Sequence, residues 1–424
     1  MTPKWEHPRQ ELLPEQHGKM YPKILFARSV ESEKMSLRQN KMNQHICYVG
    51  CDDDSLQLFE SQYALPEGMC YNSYIVIGGQ IAVIDSVDAR KTEEWLNNLR
   101  VALQGKKPAF LVLHHIEPDH SGSVAAFLNQ YPETTVVCTA KAQTMLAQFG
   151  CQPQHIQTVK ENDILDLGGL TLRFMMAPMI HWPEVMMSYC AEAQTLFSAD
   201  AFGKFGVYHA DEDDWACEAR RYYFNIVGKY GGPVSLVLKK VSTLPIQTIC
   251  PLHGPVLEGE KMAEALRLYT IWSAYDVETK GVLVAHASIH GNTAHAAEEL
   301  AQMLRERGVG KVAVTDLCRD DMAEAIEDAF RMNKMVVCAS SYDNNVFPPM
   351  HQFLWKLQQK AYQHRTVGIV ENGSWAPSAG REMKALLETM KEVTILEPIV
   401  TIRGALNDDS RAQLEALADA ISAE

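Results

Sequence analysis

Phe110-Leu-Val-Leu-His-His115-Ile-Glu117-Pro-Asp119-His120 is an apolar run that breaks into a burst of polar side chains. The apolar half predicts a buried strand. The polar half places four potential metal ligands, His115, Glu117, Asp119 and His120, within six residues of a turn, where side chains can converge. Three more candidates lie downstream at strand ends or in Gly/Pro turns. They are His181, Asp200 in Phe197-Ser-Ala-Asp200-Ala-Phe-Gly203, and His253 in Pro251-Leu-His253-Gly-Pro255. Any one of them alone reads as an ordinary polar residue at a turn. Together they give four imidazoles and three carboxylates, a donor set that suits Fe, Mn or Zn, and the lack of cysteine disfavours a structural zinc site. Seven ligands exceed what one tetrahedral ion can use and suit two ions sharing a carboxylate.

Around this segment, short apolar runs alternate with turns. Tyr74-Ile-Val-Ile and Ile81-Ala-Val-Ile predict a hairpin through Gly78-Gly79. Further strands are expected at Thr171-Leu-Arg-Phe-Met and Thr195-Leu-Phe-Ser-Ala, and this strand-rich pattern runs to about Tyr275. After Lys280 the pattern changes. Five apolar strands are predicted, within 282–287, 311–317, 335–340, 366–372 and 393–402, each followed by a helix. The first helix, near 292–307, has Ala297, Leu300, Ala301 and Leu304 on one face and Gly308 as its stop. Strict β/α alternation predicts a doubly wound five-stranded parallel sheet. The expected division is a flexible extension over 1–42, a first domain over 43–276 and a second over 277–424. Residues 1–42 are polar and aperiodic, and Met35 and Met42 are candidate alternative starts.

Composition narrows the function. The 424 residues are 46% hydrophobic and 22% charged, ordinary for a folded protein of two domains. Asp and Glu outnumber Lys and Arg, 53 to 39, for a net charge of −14. That balance argues against nucleic acid or an anionic membrane as partner. Ten cysteines are scattered without a CxxC pair, so neither a rubredoxin-type iron site nor a zinc knuckle is written here. With no signal peptide and no apolar run near the ~20 residues of a membrane span, the expectation is a cytoplasmic protein.

Three loops at the ends of the predicted parallel strands carry a second signal. Ser288-Ile289-His290-Gly291-Asn292-Thr293 leads into a helix, and its hydroxyls and free backbone amides suit a terminal phosphate. Ser340-Ser-Tyr342-Asp-Asn344-Asn345-Val-Phe-Pro348 and Asn372-Gly373-Ser374-Trp375 add two aromatic rings that can stack on a flat ligand. Doubly wound sheets bind ligands at these strand ends. The absence of GxGxxG weakens a dinucleotide reading.

The metal-ligand burst resembles the metallo-β-lactamase superfamily, whose zinc hydrolases carry HxHxDH. Glu117 stands where the second histidine would be, and HxExDH followed by distant His, Asp and His is similar to the flavodiiron proteins. Phe59-Glu60 and the segment from Leu65 to Tyr74 are also similar to that family. So are Asn344-Asn345-x-Phe-Pro348 and Trp375, and the three loops resemble a flavodoxin domain. The chain departs from the family at Ser341-Tyr342, where many relatives have Pro-Thr, and in the loop from Glu371, which lacks the usual Gly-Ser-aromatic-Gly run.

The resemblance runs from about Asn43 to the end. It implies an N-terminal αββα sandwich with a diiron centre and a C-terminal flavodoxin-like domain holding FMN. His115, Glu117 and His181 would hold one iron, Asp119, His120 and His253 the other, with Asp200 bridging. The implied activity is reduction of O₂ to water or of NO to N₂O. Electrons would come from a separate rubredoxin-like donor, since no such module is present in the chain. The implied assembly is a head-to-tail homodimer or a dimer of dimers, with Trp375 near the junction. Two readings compete: a zinc hydrolase with an accessory flavodoxin domain, which Glu117 disfavours, and a flavin carrier with an inert scaffold, which seven intact ligands disfavour.

Overall fold

The computed structural model describes residues 42–210 and 214–423. The extension expected over 1–42 therefore lies outside the described residues, Met42 excepted.

The predicted hairpin forms, with Tyr74 opposite Ile84 and Ile77 opposite Ile81. It sits inside a six-stranded sheet ordered Ile46–Tyr48, Tyr74–Ile77, Ile81–Ile84, Phe110–Val112, Thr135–Thr139 and Ile156–Val159. A second six-stranded sheet runs Ile164–Asp166, Thr171–Met176, Met186–Cys190, Thr195–Phe197, Thr248–Cys250 and Leu257–Glu258. Side chains alternate faces along a strand, and the packing follows that period. Tyr74, Val76, Ala82, Ile84 and Val112 share a core with Leu172, Phe174, Met186 and Phe197 of the other sheet. Ile75, Val83 and Leu111 belong instead to a core with Trp95, Leu99 and Phe127 from helices Thr92–Leu103 and Val124–Gln130. On the second sheet Met175, Met187 and Leu196 join that core with Val234, Leu268 and Trp272 of helices Gly231–Val241 and Gly259–Ser273. Burial on both faces of each sheet makes the αββα sandwich.

Neighbouring strands Ile81–Ile84, Phe110–Val112 and Thr135–Thr139 run parallel, as do Thr195–Phe197 and Thr248–Cys250. The candidate ligands His115 to His120, Asp200 and His253 all follow the carboxyl ends of such strands.

The third sheet is parallel in the order Val312–Asp316, Thr279–Ala287, Met332–Tyr342, Thr366–Asn372 and Thr394–Ile395. Helix Asn292–Glu306 buries Ala297, Leu300, Ala301 and Leu304 against Val282 and Val284, as its period predicts. Helices Met322–Arg331 and Pro348–Gln359 cover the other face. The strand expected within 393–402 is corrected. It is two strands, Thr394–Ile395 and Val400–Ile402, pairing with opposite ends of Thr366–Asn372. Pro398 lies between them and has no amide hydrogen for a ladder. Strand Asn345–Val346 also folds back on Ser341 and Tyr342, so the sheet has seven strands rather than five.

The core is continuous between the sandwich and the third sheet. Phe224 stacks on Phe330 at 4.3 Å, and Arg220 is held by Glu278 at 2.7 Å and Glu327 at 3.0 Å. No helix among the described residues is long and apolar enough to cross a membrane.

Candidate metal centre and strand-end pocket

Strand Phe110–Val112 delivers the ligand-rich loop, and Pro118 opens the single-turn helix Pro118–Ser121 that closes it. Proline suits that first position because the amide there has no helical partner. The chain then turns, so that Glu117 and His120 face different parts of one cluster. Leu252 donates its amide to Ala199 at 2.9 Å, tying the Asp200 turn to the His253 loop. Gly254 follows at φ +76°, where a β-carbon would stand 2.7 Å from Lys204 Cγ, so the close approach needs glycine.

All seven expected ligands come together in two groups: His115, Glu117, His181 and Asp200, then Asp119, His120 and His253. Asp200 faces both. Its Oδ2 lies 3.4 Å from His115 Nε2 and 3.2 Å from His181 Nε2. Its Oδ1 lies 3.2 Å from His120 Nε2 and 3.9 Å from His253 Nε2. Glu117 Oε2 sits 3.0 Å from His181 Nε2 in the first group, and Asp119 Oδ2 is 3.3 Å from both His120 and His253 in the second.

The electrostatics are those of a site that demands positive charge. Burial disfavours a proton on His115, but Asp200, Glu117 and Glu184 hold it and its pKa lies well above the ordinary value. Burial likewise opposes charge on His181, yet hydrogen bonds to Asp200 and Glu117 lift it to about 9. Against the effect of burial, His115 and His181 draw Glu117 down to about 2, and His115 and His120 hold Asp200 well below the carboxylate range. Even so, both oxygens of Asp119, Oδ1 of Asp200, both nitrogens of His120 and Nε2 of His253 are buried without a hydrogen bond. Orphaned polar atoms are costly. A pair of cations bound between the two groups would satisfy the orphans that face the cluster, so the residues fit the metals that their chemistry implies.

Sequence reasoning missed the residues behind the ligands. Asp85 Oδ1 accepts the amide of His114 at 2.7 Å, and Oδ2 meets its ring at 2.6 Å. Ser86 donates to the carbonyl of His120 at 2.7 Å, so both ends of the ligand loop are pinned. Asn72 donates to the carbonyls of Pro251 and Gly254 at 2.8 and 2.7 Å, which sets the His253 loop. Glu184 lies behind His115. Asp85 could have been found, because it ends a buried strand as the ligands do; Asn72 has no comparable local signal.

At the carboxyl ends of the third sheet lies a cavity of about 500 Å³. Of the residues expected to contact a flavin, Ser288, Ile289, His290, Asn292, Thr293, Ser340, Tyr342, Asn344, Asn372, Gly373, Ser374 and Trp375 line it. Gly291 and Asn345 do not. Gly291 takes φ +89° just before the helix, and Asn345 pairs with Tyr342 in the returning strand. The lining adds Ser341, whose Oγ accepts the amides of Ser378 at 2.8 Å and Ala379 at 3.2 Å, so the loop carrying Trp375 is anchored at its far end. Thr293 and Ser340 hydroxyls meet at 2.9 Å beside the helix N-terminus, a neutral, donor-rich corner suited to phosphate. Trp375 is 90% exposed and Tyr342 46% exposed, so flat apolar surface is left at the mouth.

A family signature described as ODP family beta lactamase matches residues 69–254. The chain is 28% identical over 361 residues to the anaerobic nitric oxide reductase flavorubredoxin of Vibrio vulnificus, covering 82% of this chain and 72% of that protein. Its fold matches rubredoxin oxygen:oxidoreductase from Desulfovibrio gigas with a TM-score of 0.85 at 23% identity, over 90% of this chain and 97% of that one. A variant of the flavo di-iron protein from Thermotoga maritima matches with a TM-score of 0.80 at 25% identity, over 88% of this chain and 95% of that one.

Proposed function

We propose that this chain is a member of the flavodiiron protein family, an oxidoreductase that reduces NO to N₂O, O₂ to water, or both. The observation that carries the reading is Asp200, one carboxylate whose two oxygens face two separate ligand groups. In this reading His115, Glu117 and His181 would hold one iron and Asp119, His120 and His253 the other, with Asp200 shared between them. Ser288, Asn292, Thr293 and Ser340 would hold the phosphate of FMN in the strand-end cavity, and Tyr342 and Trp375 would meet its ring. Residues 43–276 and 277–424 are the corresponding functional units.

Two irons and one FMN, when bound, supply the one- and two-electron chemistry that gas reduction needs. The protein's part is positional and electrostatic. Asp85 and Ser86 hold the ligand loop against the sheet, so the donors meet the metals with little rearrangement. Glu117, Asp119 and Asp200 offset the metal charge with hard oxygen donors, which favour the ferric state. Phe59, Tyr71 and Tyr222 pack their rings 5.6 to 6.1 Å from His253 and line that side of the centre with aromatic surface. Reducing equivalents arrive from a rubredoxin-like donor. The names of the relatives support both gases, and the ligand set is common to both reactions.

The test is the purified protein itself. About two irons and one flavin per chain are expected, with anaerobic consumption of NO, or consumption of O₂, by the reduced protein. A zinc-loaded, colourless protein would return the hydrolase reading.

A further inference from the structure

The two ligand groups differ in what stands behind their imidazoles. His115 Nδ1 lies 2.7 Å from Glu184 Oε1, and both side chains are fully buried. The same oxygen accepts the amide of Ile116 at 3.2 Å. This fixes the ring: with Nδ1 donating to Glu184, Nε2 is the nitrogen that faces Glu117 and Asp200, 3.3 and 3.4 Å away, and it is the one left to ligate a metal there. In the second group His253 Nδ1 meets only the uncharged carbonyl of Cys70, at 2.7 Å. His120 Nδ1 is buried with no hydrogen-bond partner among the described residues. A carboxylate behind a ligating imidazole raises its basicity; a carbonyl does so less, and an unpartnered N–H not at all.

We propose that Glu184 is a positioning residue that makes the two metal subsites unequal, so that the subsite of His115, Glu117 and His181 holds the more tightly bound and more electron-rich ion. The inference rests on the diiron reading above and assigns an order within it. Electron density pushed through His115 stabilises the higher oxidation state on that side, so the first subsite is the first to be oxidised and the last to be reduced. Asp200 adds no bias of its own, because it presents one oxygen to each group.

The test uses the full chain with FMN and the variant Glu184→Gln, which keeps an oxygen acceptor for the His115 ring and removes the charge. Metal-free protein is titrated anaerobically with Fe(II), and the iron-loaded forms are compared by Mössbauer spectroscopy. Wild-type protein is expected to bind in two steps and show two doublets. In the variant the tighter step weakens about 10- to 100-fold and one doublet moves while the other stays. Unchanged binding, or equal weakening of both steps with both doublets shifted, overturns the proposal. Wild-type protein that binds fewer than two ions overturns the diiron reading as well, without any variant. Should Glu184→Gln fail to fold, wild-type protein loaded with Co(II) provides a second readout. The His115 Nδ1 proton, sealed between two buried groups, should give a strongly shifted NMR line that survives transfer to D₂O. Immediate exchange of every shifted imidazole line would overturn the assignment.

Discussion

Asp200 concentrates the chemistry of the centre in one side chain. It is 1% exposed, and its neighbours are four imidazoles from three different loops, those of His115 and His120, of His181 and of His253. Replacing it with alanine removes the one carboxylate that reaches both groups and leaves two cations without a shared anion. Asp200→Ala is therefore expected to lose at least one of the two metal ions and the gas-reducing activity, while flavin absorbance is kept. Metal analysis beside a visible spectrum reads both at once, and two ions bound in the variant would remove Asp200 from the ligand set. Four of the seven candidates sit within six residues, so at this scale much of the site was legible in the chain. The partners behind them were not: Glu184 is 69 residues from His115, and nothing in the local pattern marks it.

At the scale of elements, strand ends do the positioning. The αL turn at Gly291 aims the first amides of helix Asn292–Glu306 at the cavity, and Thr293, nearly fully buried, adds a hydroxyl there. Hydrogen bonds to a charged group contribute about 1–3 kcal/mol, so Thr293→Ala should weaken FMN by about that much. Fluorescence titration of the flavin-free protein measures it, and unchanged affinity would place the phosphate elsewhere. The β/α alternation after Lys280 was readable because the central strands there are largely buried on both faces and the helices between them carry an apolar stripe at the 3.6-residue period. The last strand was misread as one piece because its apolar residues run on, whereas the break is a matter of hydrogen bonding at Pro398, which hydrophobicity does not register.

At the scale of the whole molecule, Lys360 marks the contact between the third-sheet unit and the sandwich, where its ammonium donates to the carbonyl of Asn225. Burial, then the Lys356 ammonium, push its pKa down to about 8, with Glu60 opposing. The folded state then binds fewer protons than the unfolded chain between about 8 and 10.4. The cost of burying the charge is present in full below about 8, and stability rises with pH across that window. Lys360→Met should flatten that rise, a difference on the order of 2 kcal/mol in denaturant melts at pH 7 and pH 10 compared with wild type. Parallel curves at both pH values would show that the amine is not desolvated.

The same scale governs assembly. Trp375 stands exposed at the strand-end cavity, while Phe149, 51% exposed, stacks on Trp182 beside His115. We expect a second copy to join these surfaces head to tail, since one C₂ contact builds two identical junctions. In mixed dimers of an Asp200→Ala chain with a chain bearing several phosphate-loop changes, one junction is intact and activity should return. Stable mixed pairs without activity would exclude electron transfer between chains.

The sequence by itself marked the seven candidate ligands and the doubly wound parallel sheet, while the αββα sandwich followed from the family resemblance. Ligand type, strand-end position and the two hydrophobic periods are local properties that survive without knowledge of neighbours. Only the tertiary structure decided which oxygen of Asp200 faces which imidazole, and that Glu184 stands behind His115. Those relations depend on how two sheets register and how loops far apart in the chain pack against each other. A periodic pattern says that a side chain points inward but not what it will meet there.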